Sequence, residues 1–135
     1  MVCIYCGSRT EVINSRLQKR PNQVWRRRKC LNCGAVISTQ EMVLYENSLA
    51  VHGANGKPQP FLRDKLFLSL YESCRHRPTA LTDAVALTAT VIGQLRSHVR
   101  TGSVEYADII RIALETLQNF DKAAAVHYQA YHPVS

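Results

Sequence analysis

Four cysteines in the first third of the chain form two closely spaced pairs, and this spacing is typical of a metal site. The pairs lie in two C-x-x-C-G units, one spanning residues 3–7 and the other residues 30–34. Two intervening residues let both sulfurs of one tight turn reach the same ion, and two such turns complete the tetrahedral thiolate shell of zinc. The glycine after each pair fits a left-handed backbone position. The spacing therefore predicts a structural Zn²⁺ held by Cys3, Cys6, Cys30 and Cys33.

Other uses of paired cysteines fit this sequence less well. Disulfides are not expected, because the sequence begins without the basic and apolar segments of a secretion signal. A redox site of the thioredoxin kind needs one such pair beside a βαβ pattern, which is missing here. Four thiolates leave no coordination position for a water, so the zinc is predicted to hold a fold. The fifth cysteine, Cys74, lies in an apolar helical pattern and is predicted to be buried.

The segments between the cysteine pairs predict short antiparallel strands. Residues 10–14, 24–29 and 34–39 are β-prone, and residues 17–23 form a polar turn that contains a proline. Together with the metal they predict a zinc ribbon, which we assign to a first domain of residues 1–45. Because about 45 residues bury too small an apolar core to fold alone, metal binding is expected to be coupled to folding.

Positive charge is concentrated in the same domain. Residues 1–45 carry eight basic and two acidic side chains, whereas residues 46–135 carry nine and eight. A charge excess confined to one domain indicates a polyanionic partner, and guanidinium groups suit both phosphate oxygens and guanine. The pattern predicts binding to double-stranded DNA through Arg16, Arg26, Arg27, Arg28 and Lys29.

On a strand, these basic side chains are divided between two faces, and the role of several residues stays open. On a strand, Arg26 and Arg28 share one face, whereas Arg27 shares the other with Trp25. Trp25 is either core filler or a stacking surface. A solvated basic face and a protein-docking ribbon remain alternatives to DNA binding.

Residues 46–135 show a β-hairpin followed by helical periods. Residues 49–52 are β-prone, residues 53–56 contain a turn-favouring Asn-Gly pair, and residues 57–61 return with prolines that suit an edge strand. Four helices are then predicted. They are a first over residues 62–74 ended by Pro78, a second capped by Thr82 and ending near Arg100, a third capped by Ser103, and a last from Asp121 to about Tyr131. The predicted fold is α+β.

Several function classes have no support in the sequence. No run of 18 apolar residues indicates a transmembrane helix, so neither a membrane partner nor a membrane location is expected. The five histidines are scattered, and the common phosphate-loop, dinucleotide-binding, zinc-protease and hydrolase motifs do not occur. We therefore expect a soluble intracellular protein that is not an enzyme.

The order of residues along nearly the whole chain resembles the NrdR family, bacterial regulators of ribonucleotide reductase genes. In the first half the similarity rests on both cysteine pairs and on residues 12–16, 26–29 and 38–41. In the second half the similarity is to the ATP-cone domain of that family. It rests on Val51, Asn55, Gly56, Pro60, Phe61, Arg63, Lys65, Leu66, Cys74, Arg77, Pro78 and the segment Asp121–Tyr131.

The resemblance implies a repressor that binds operator DNA upstream of reductase genes, in the cytoplasm at the bacterial nucleoid. It also implies that residues 46–135 form an ATP-cone-like domain that binds ATP or dATP and changes the homo-oligomeric state. Nucleotide contact would fall to Val51, Asn55, Gly56, Lys65 and Tyr128. The family hairpin carries Lys-Arg where this chain has Gly53 and Ala54, and His52 or Lys57 would have to replace those charges. The family also commonly has Asp at the position of Asn14.

Two alternatives stand beside this interpretation. One is a zinc-ribbon assembly or adaptor protein that has lost nucleotide sensing. The other is an enzyme, such as a nuclease or a detached reductase fragment. The closed metal shell and the lack of an acid–base or glycyl-radical constellation argue against the enzyme.

Overall fold

The chain folds as two units. A computed structural model describes residues 1–133, and it separates Met1–Val43 from Leu44–Ser135. Each unit contains a three-stranded sheet, and the five α-helices all begin after residue 44. The α+β fold class is confirmed.

The first unit is an antiparallel sheet of three strands in chain order. Strand β1 is Thr10–Gln18, β2 is Gln23–Cys30 and β3 is Val36–Met42. A β-bulge interrupts the pairing of β1 with β2 between Val12 and Asn14. The strands are longer than predicted, and the turn between β1 and β2 is limited to residues 19–22. The reason is that the ladder continues through polar pairs such as Gln18 with Gln23, which side-chain polarity alone does not reveal.

This ribbon has almost no apolar interior. Within residues 1–43, all of which the structure describes, the only buried residues are Cys3, Thr10 and Cys30. Each of the two buried cysteines is 2% exposed. A sheet with so little buried apolar area cannot offset its loss of conformational entropy by packing alone. Its stability must come from the cysteine cluster.

The second unit contains a small mixed sheet. Strand β4 is Ala50–His52, β5 is Pro58–Pro60 and β6 is Ser103–Glu105, in the order β5-β4-β6. Strand β4 runs antiparallel to β5, and it runs parallel to β6.

The prediction that Ser103 caps a helix is wrong, because this residue begins β6. Thr101 and Gly102 adopt positive φ angles of 53° and 72°, and the Gly102 carbonyl accepts a 3.0 Å hydrogen bond from the N–H of Ala50. This long-range pairing outweighs the local capping signal of a serine.

Within residues 44–133 the second unit contains five α-helices. They are α1 (Tyr45–Ser48), α2 (Arg63–Ser73), α3 (Ala80–Leu95), α4 (Tyr106–Gln118) and α5 (Lys122–Tyr131), and a 3₁₀ turn at Arg96–His98 extends α3. The four predicted helices are confirmed, whereas the single turn of α1 was not predicted. Among the described residues, no helix combines the length and the apolar character needed to cross a bilayer.

The predicted cap of α3 at Thr82 is wrong, and the last helix begins at Lys122, one residue after the predicted Asp121. Helix α3 begins at Ala80, so Thr82 lies inside it. The Asp83 carboxylate instead accepts hydrogen bonds from the Thr79 hydroxyl at 2.6 Å and from Arg77 at 2.9 Å. At α5, an oxygen of the Asp121 carboxylate accepts from the N–H of Ala124 at 3.0 Å, which is an N-cap bond.

Arg77 connects two turns that are distant in sequence. Its guanidinium binds Asp83 and Asp121, each at 2.9 Å, and lies over the Phe120 ring at 4.6 Å. The Ala124 N–H, His76 and Arg77 hold the pKa of Asp121 well below its usual range. The turn between α2 and α3 is thereby attached to the start of α5.

The apolar core of the second unit explains why this unit needs no metal. Helical stripes bring together fully buried side chains, and Cys74 is one of them, as predicted. The other members that are less than 2% exposed and apolar include Leu70, Val91, Leu95, Ala113, Leu117 and Ala124.

The core assignment can be tested on one helix. Leu70 is 0% exposed and Leu68 is 56% exposed, and both lie in α2. Replacing Leu70 by Ala is expected to lower the free energy of unfolding by about 2–5 kcal/mol, because it leaves a cavity. Leu68→Ala, the control, is expected to stay within about 0.5 kcal/mol. Urea unfolding followed by the helical circular-dichroism signal measures both, and equal losses would contradict the packing described.

Candidate metal centre and nucleic-acid interface

The two cysteine turns share one backbone design. In each, the N–H of the following glycine binds the carbonyl of the first cysteine, at 2.9 Å for Gly7 and 3.2 Å for Gly34. Both glycines have φ angles near the left-handed value, +73° and +74°. The predicted role of these glycines is therefore confirmed. The N–H of Leu31 also donates to the Arg9 carbonyl at 3.0 Å, which connects the second turn to the first.

The four sulfurs converge on one point. All four Sγ atoms lie within 4.8 Å of one another. The Cys3–Cys33 and Cys6–Cys30 sulfur pairs are separated by 3.7 Å and 3.5 Å. A tetrahedral zinc with bonds of about 2.3 Å separates its sulfurs by about 3.8 Å, so these spacings fit that ion. Cys3 and Cys30 are buried, whereas Cys6 and Cys33 face solvent.

Backbone N–H groups around the cluster favour thiolates. Tyr5 donates to the Cys3 sulfur, while Asn32 and Cys33 donate to the Cys30 sulfur, each at 3.4 Å. Such donors stabilise a ligand in its charged form and fix its direction toward the metal.

The thiols differ in acidity when only protein groups act on them. Hydrogen bonds with Ser8 lower the pKa of Cys6 to about 6. For Cys33, a backbone hydrogen bond with Ala35 favours the thiolate, but the Cys30 sulfur and burial outweigh it and raise the pKa to about 11. Crowded thiols cannot all be anionic without a cation, and a divalent metal supplies that charge. Bound Zn²⁺ would act here as a structural cross-link between the two turns.

The predicted DNA-contacting side chains lie on both faces of the ribbon sheet. Cross-strand pairing places Arg27 between Asn14 and Ser38, and it places Trp25 between Arg16 and Gln40. We call this side, together with Lys29, the polar face. The opposite side, which we call the apolar face, carries Arg26 and Arg28 with Val12, Leu17, Val24 and Ile37.

The arginines on the two faces have different surroundings. On the apolar face, Arg26 is half-buried and binds Glu41 at 2.8 Å, and the Nε of Arg28 is buried without a hydrogen-bond partner. On the polar face, Arg16 and Arg27 are exposed, and within residues 1–133 neither forms an ion pair. Trp25 is half-buried, so its exposure does not distinguish a role in the core from a role as a stacking surface.

A cavity of about 490 Å³ lies inside the second unit, beside the hairpin. Five of the predicted nucleotide-contacting residues line it, and they are Val51, Asn55, Lys57, Lys65 and Tyr128. His52 and Gly56 do not line it; Gly56 instead closes the hairpin turn with a φ of +73°. Burial raises the pKa of Tyr128, so its hydroxyl is neutral at physiological pH.

Several cavity residues were not predicted from the sequence. Tyr106 and Ile109 enter from α4, and His132 enters after α5, where its ring stacks on Tyr128 at 4.2 Å. Tyr106 reaches the cavity because β6, directly before it, pairs with β4. If strand β6 had been recognised in the sequence, its pairing with β4 would have indicated that Tyr106 lies at the cavity. Gly53 and Ala54 of the hairpin also line the cavity.

A four-cysteine centre on a three-stranded sheet, followed by a helical unit with its own core, defines a zinc-ribbon protein of two units. The family model described as "Transcriptional repressor NrdR-like, N-terminal domain" matches residues 1–41. A protein of Opitutus terrae named Transcriptional repressor NrdR is 31% identical over 133 residues, covering 98% of this chain and 86% of the relative. The chain belongs to the NrdR family.

Other relatives align over the same extent. A protein of Afipia carboxidovorans with the same name is 34% identical over 135 residues, which cover 98% of this chain and 83% of the relative. One of Symbiobacterium thermophilum is 30% identical over 132 residues, with 98% and 87% covered. The similarity therefore includes both units.

The metal centre predicts a selective response to zinc removal. The purified chain is expected to hold one zinc, and chelation is expected to expose the amides of residues 10–42 to hydrogen exchange while those of α3 and α4 stay protected. Metal analysis and hydrogen exchange by mass spectrometry measure this. Cys33→Ser is expected to lose zinc, and the control Cys74→Ala is expected to retain it. A metal-free chain with protected ribbon strands would contradict the assignment.

Proposed function

We propose that this protein is a zinc-dependent transcriptional repressor that binds operator DNA upstream of ribonucleotide reductase genes in a bacterial cytoplasm. The observation that carries the proposal is a four-cysteine ribbon, in a chain of the NrdR family, on which Arg16 and Arg27 are exposed and form no ion pair within residues 1–133. The relatives are named transcriptional repressors, and a sheet rich in arginine has the charge that a duplex requires. Its role is regulatory rather than enzymatic.

We assign DNA contact to residues 1–45 and to the five predicted side chains. Four of these side chains, Arg26, Arg27, Arg28 and Lys29, follow one another on β2, and Arg16 lies on the neighbouring strand β1. Side chains that bind phosphates release counterions from the duplex, and this release dominates the affinity. Zinc contributes by keeping the strands in register.

Salt dependence tests DNA binding directly. The zinc-loaded full chain is incubated with a pool of random 30-base-pair duplexes, and affinity is measured between 50 and 300 mM salt. With three to five phosphate contacts, log K is expected to fall with log salt at a slope of about −3 to −4.5. The chelated protein serves as the control and is expected to lose binding. Salt-insensitive or absent binding by the zinc-loaded chain would favour the adaptor alternative.

We assign nucleotide sensing and oligomerisation to residues 46–135. The 490 Å³ cavity falls within the size range of small-ligand sites, and it combines apolar side chains with the ammonium groups of Lys57 and Lys65. An adenine ring fits an apolar wall such as Val51 and Tyr128, and lysines suit phosphates. His52 and Gly56 would act only by shaping the hairpin. ATP or dATP would regulate DNA binding if each favours a different homo-oligomer.

Nucleotide binding is tested by one cavity residue and one surface residue. Lys65→Ala is expected to weaken ATP and dATP binding about 10- to 100-fold, because it removes a charge-assisted contact. Lys122→Ala removes an exposed ammonium on α5 outside the cavity and is expected to have no effect. Titration calorimetry and mass measurement in solution report affinity and oligomer size. No heat and no change in size with either nucleotide would reduce the second unit to an assembly domain.

A further inference from the structure

The polar face of the ribbon is a regular array of hydrogen-bonding side chains. Two successive cross-strand rows form its centre, one of Asn14, Arg27 and Ser38 and the other of Arg16, Trp25 and Gln40. All of these side chains except Trp25 are exposed. Lys29, opposite Glu11, continues the array toward the metal. Two charged and three neutral polar groups thus converge around one indole.

These side-chain types are those that read base edges. Arg forms paired hydrogen bonds with guanine, and Asn or Gln does so with adenine, in the major groove. Simple attraction to phosphate would need only cations. The polar face adds amides directly beside Arg27 and Trp25, where β1 and β3 flank β2.

The apolar face lacks this combination. Its central rows contain Val12, Arg28 and Ile37, then Ser15, Arg26 and Thr39. Arg26 is held by Glu41 and the Nε of Arg28 is buried, so neither presents a complete guanidinium fork. Burial alternates along β3 in the same sense, since Ile37 and Thr39 are half-buried while Ser38 and Gln40 are exposed.

The dimensions of the polar face match the major groove. Neighbouring strands are about 4.8 Å apart, so the three strands span about 10 Å, and successive rows are separated by about 6.7 Å. The major groove is about 12 Å wide. Because successive base pairs are about 3.4 Å apart, the two central rows would meet bases about two steps apart, while side chains at the margins would approach the backbone.

We propose that the polar face enters the major groove, where Arg27, Asn14 and Gln40 read base edges while Arg16 and Lys29 bind the flanking phosphates. This inference rests on the proposed DNA-binding function and specifies its surface. Arg26 and Arg28 then stabilise the opposite side of the sheet and contribute charge without touching bases. Of the five basic residues assigned to DNA binding, three then contact DNA directly and two stabilise the sheet.

Adjacent arginines on β2 provide a matched test. Arg27→Ala and Arg26→Ala remove the same charge from neighbouring positions on opposite faces, so a general electrostatic effect lowers affinity equally. Zinc-loaded full-length protein first selects a preferred duplex from a random pool, and affinity is then measured against a scrambled duplex of the same composition. Arg27→Ala is expected to lose roughly 10-fold or more of the discrimination, whereas Arg26→Ala is expected to keep it within about threefold. Zinc content and hydrogen exchange verify folding.

Conservative variants separate base reading from charge. Arg27→Lys keeps the charge but not the paired donors, and it is expected to lose discrimination with the salt slope unchanged. Gln40→Ala is expected to lose discrimination severalfold, and Thr39→Ala on the apolar face is expected to retain it. These two tests remain decisive if Arg27→Ala fails to fold.

Three results would overturn the inference. Greater loss of discrimination in Arg26→Ala than in Arg27→Ala would place the reading surface on the apolar face, and equal loss would show that neither face is favoured for base reading. Full discrimination by both Arg27→Lys and Gln40→Ala would show that the polar face reads no bases. Tighter binding to a double-stranded RNA of the selected sequence would reject a major-groove mode, because that groove of RNA does not admit side chains. Absence of any salt-sensitive DNA binding by the unmodified protein would instead reject the proposed function itself.

Discussion

The convergence of four sulfurs on one ion is the constraint on which the first unit depends. Its sheet buries no apolar side chain other than two of the cysteines, so packing contributes little to its stability. The metal replaces a core by joining two backbone turns that are 23 residues apart in sequence. Backbone N–H groups that point at the Cys3 and Cys30 sulfurs hold those ligands in the required direction. When the metal joins the two turns, it fixes the register of the strands and hence the position of every strand side chain.

The two units therefore reach stability by different physical means, and this difference has functional consequences. The second unit has a continuous apolar core, and ion pairs of Arg77 with Asp83 and Asp121 join two of its turns. The ribbon has only the metal, but a sheet without an interior can devote both faces to exposed side chains. Strand alternation then separates consecutive arginines, placing Arg27 between Asn14 and Ser38 and Arg26 against the Glu41 carboxylate. A charge count describes the ribbon as basic, and the register shows which charges are available.

The sequence predicts best where a local pattern has one physical meaning. Cysteine spacing indicated the metal centre, and apolar spacing indicated α2. The sequence predicts poorly where contacts between distant segments decide the local structure. Ser103 has the chemistry of a helix cap, yet pairing with β4 makes it a strand residue, and this pairing brings Tyr106 to the cavity. The prediction that Thr82 caps α3 failed for a similar reason. The turn before this helix is held by a hydrogen bond from Thr79 to Asp83, which the residue types alone do not reveal.

Stoichiometric return of zinc to the metal-free full chain tests the central claim most directly. Amide protection of the ribbon strands and affinity for duplex DNA are followed in the same titration. The account predicts that both quantities rise together and stop rising at one zinc per chain, because one ion creates the sheet that carries the binding side chains. DNA affinity that is complete before zinc is added, or strand protection that is independent of zinc, would contradict it.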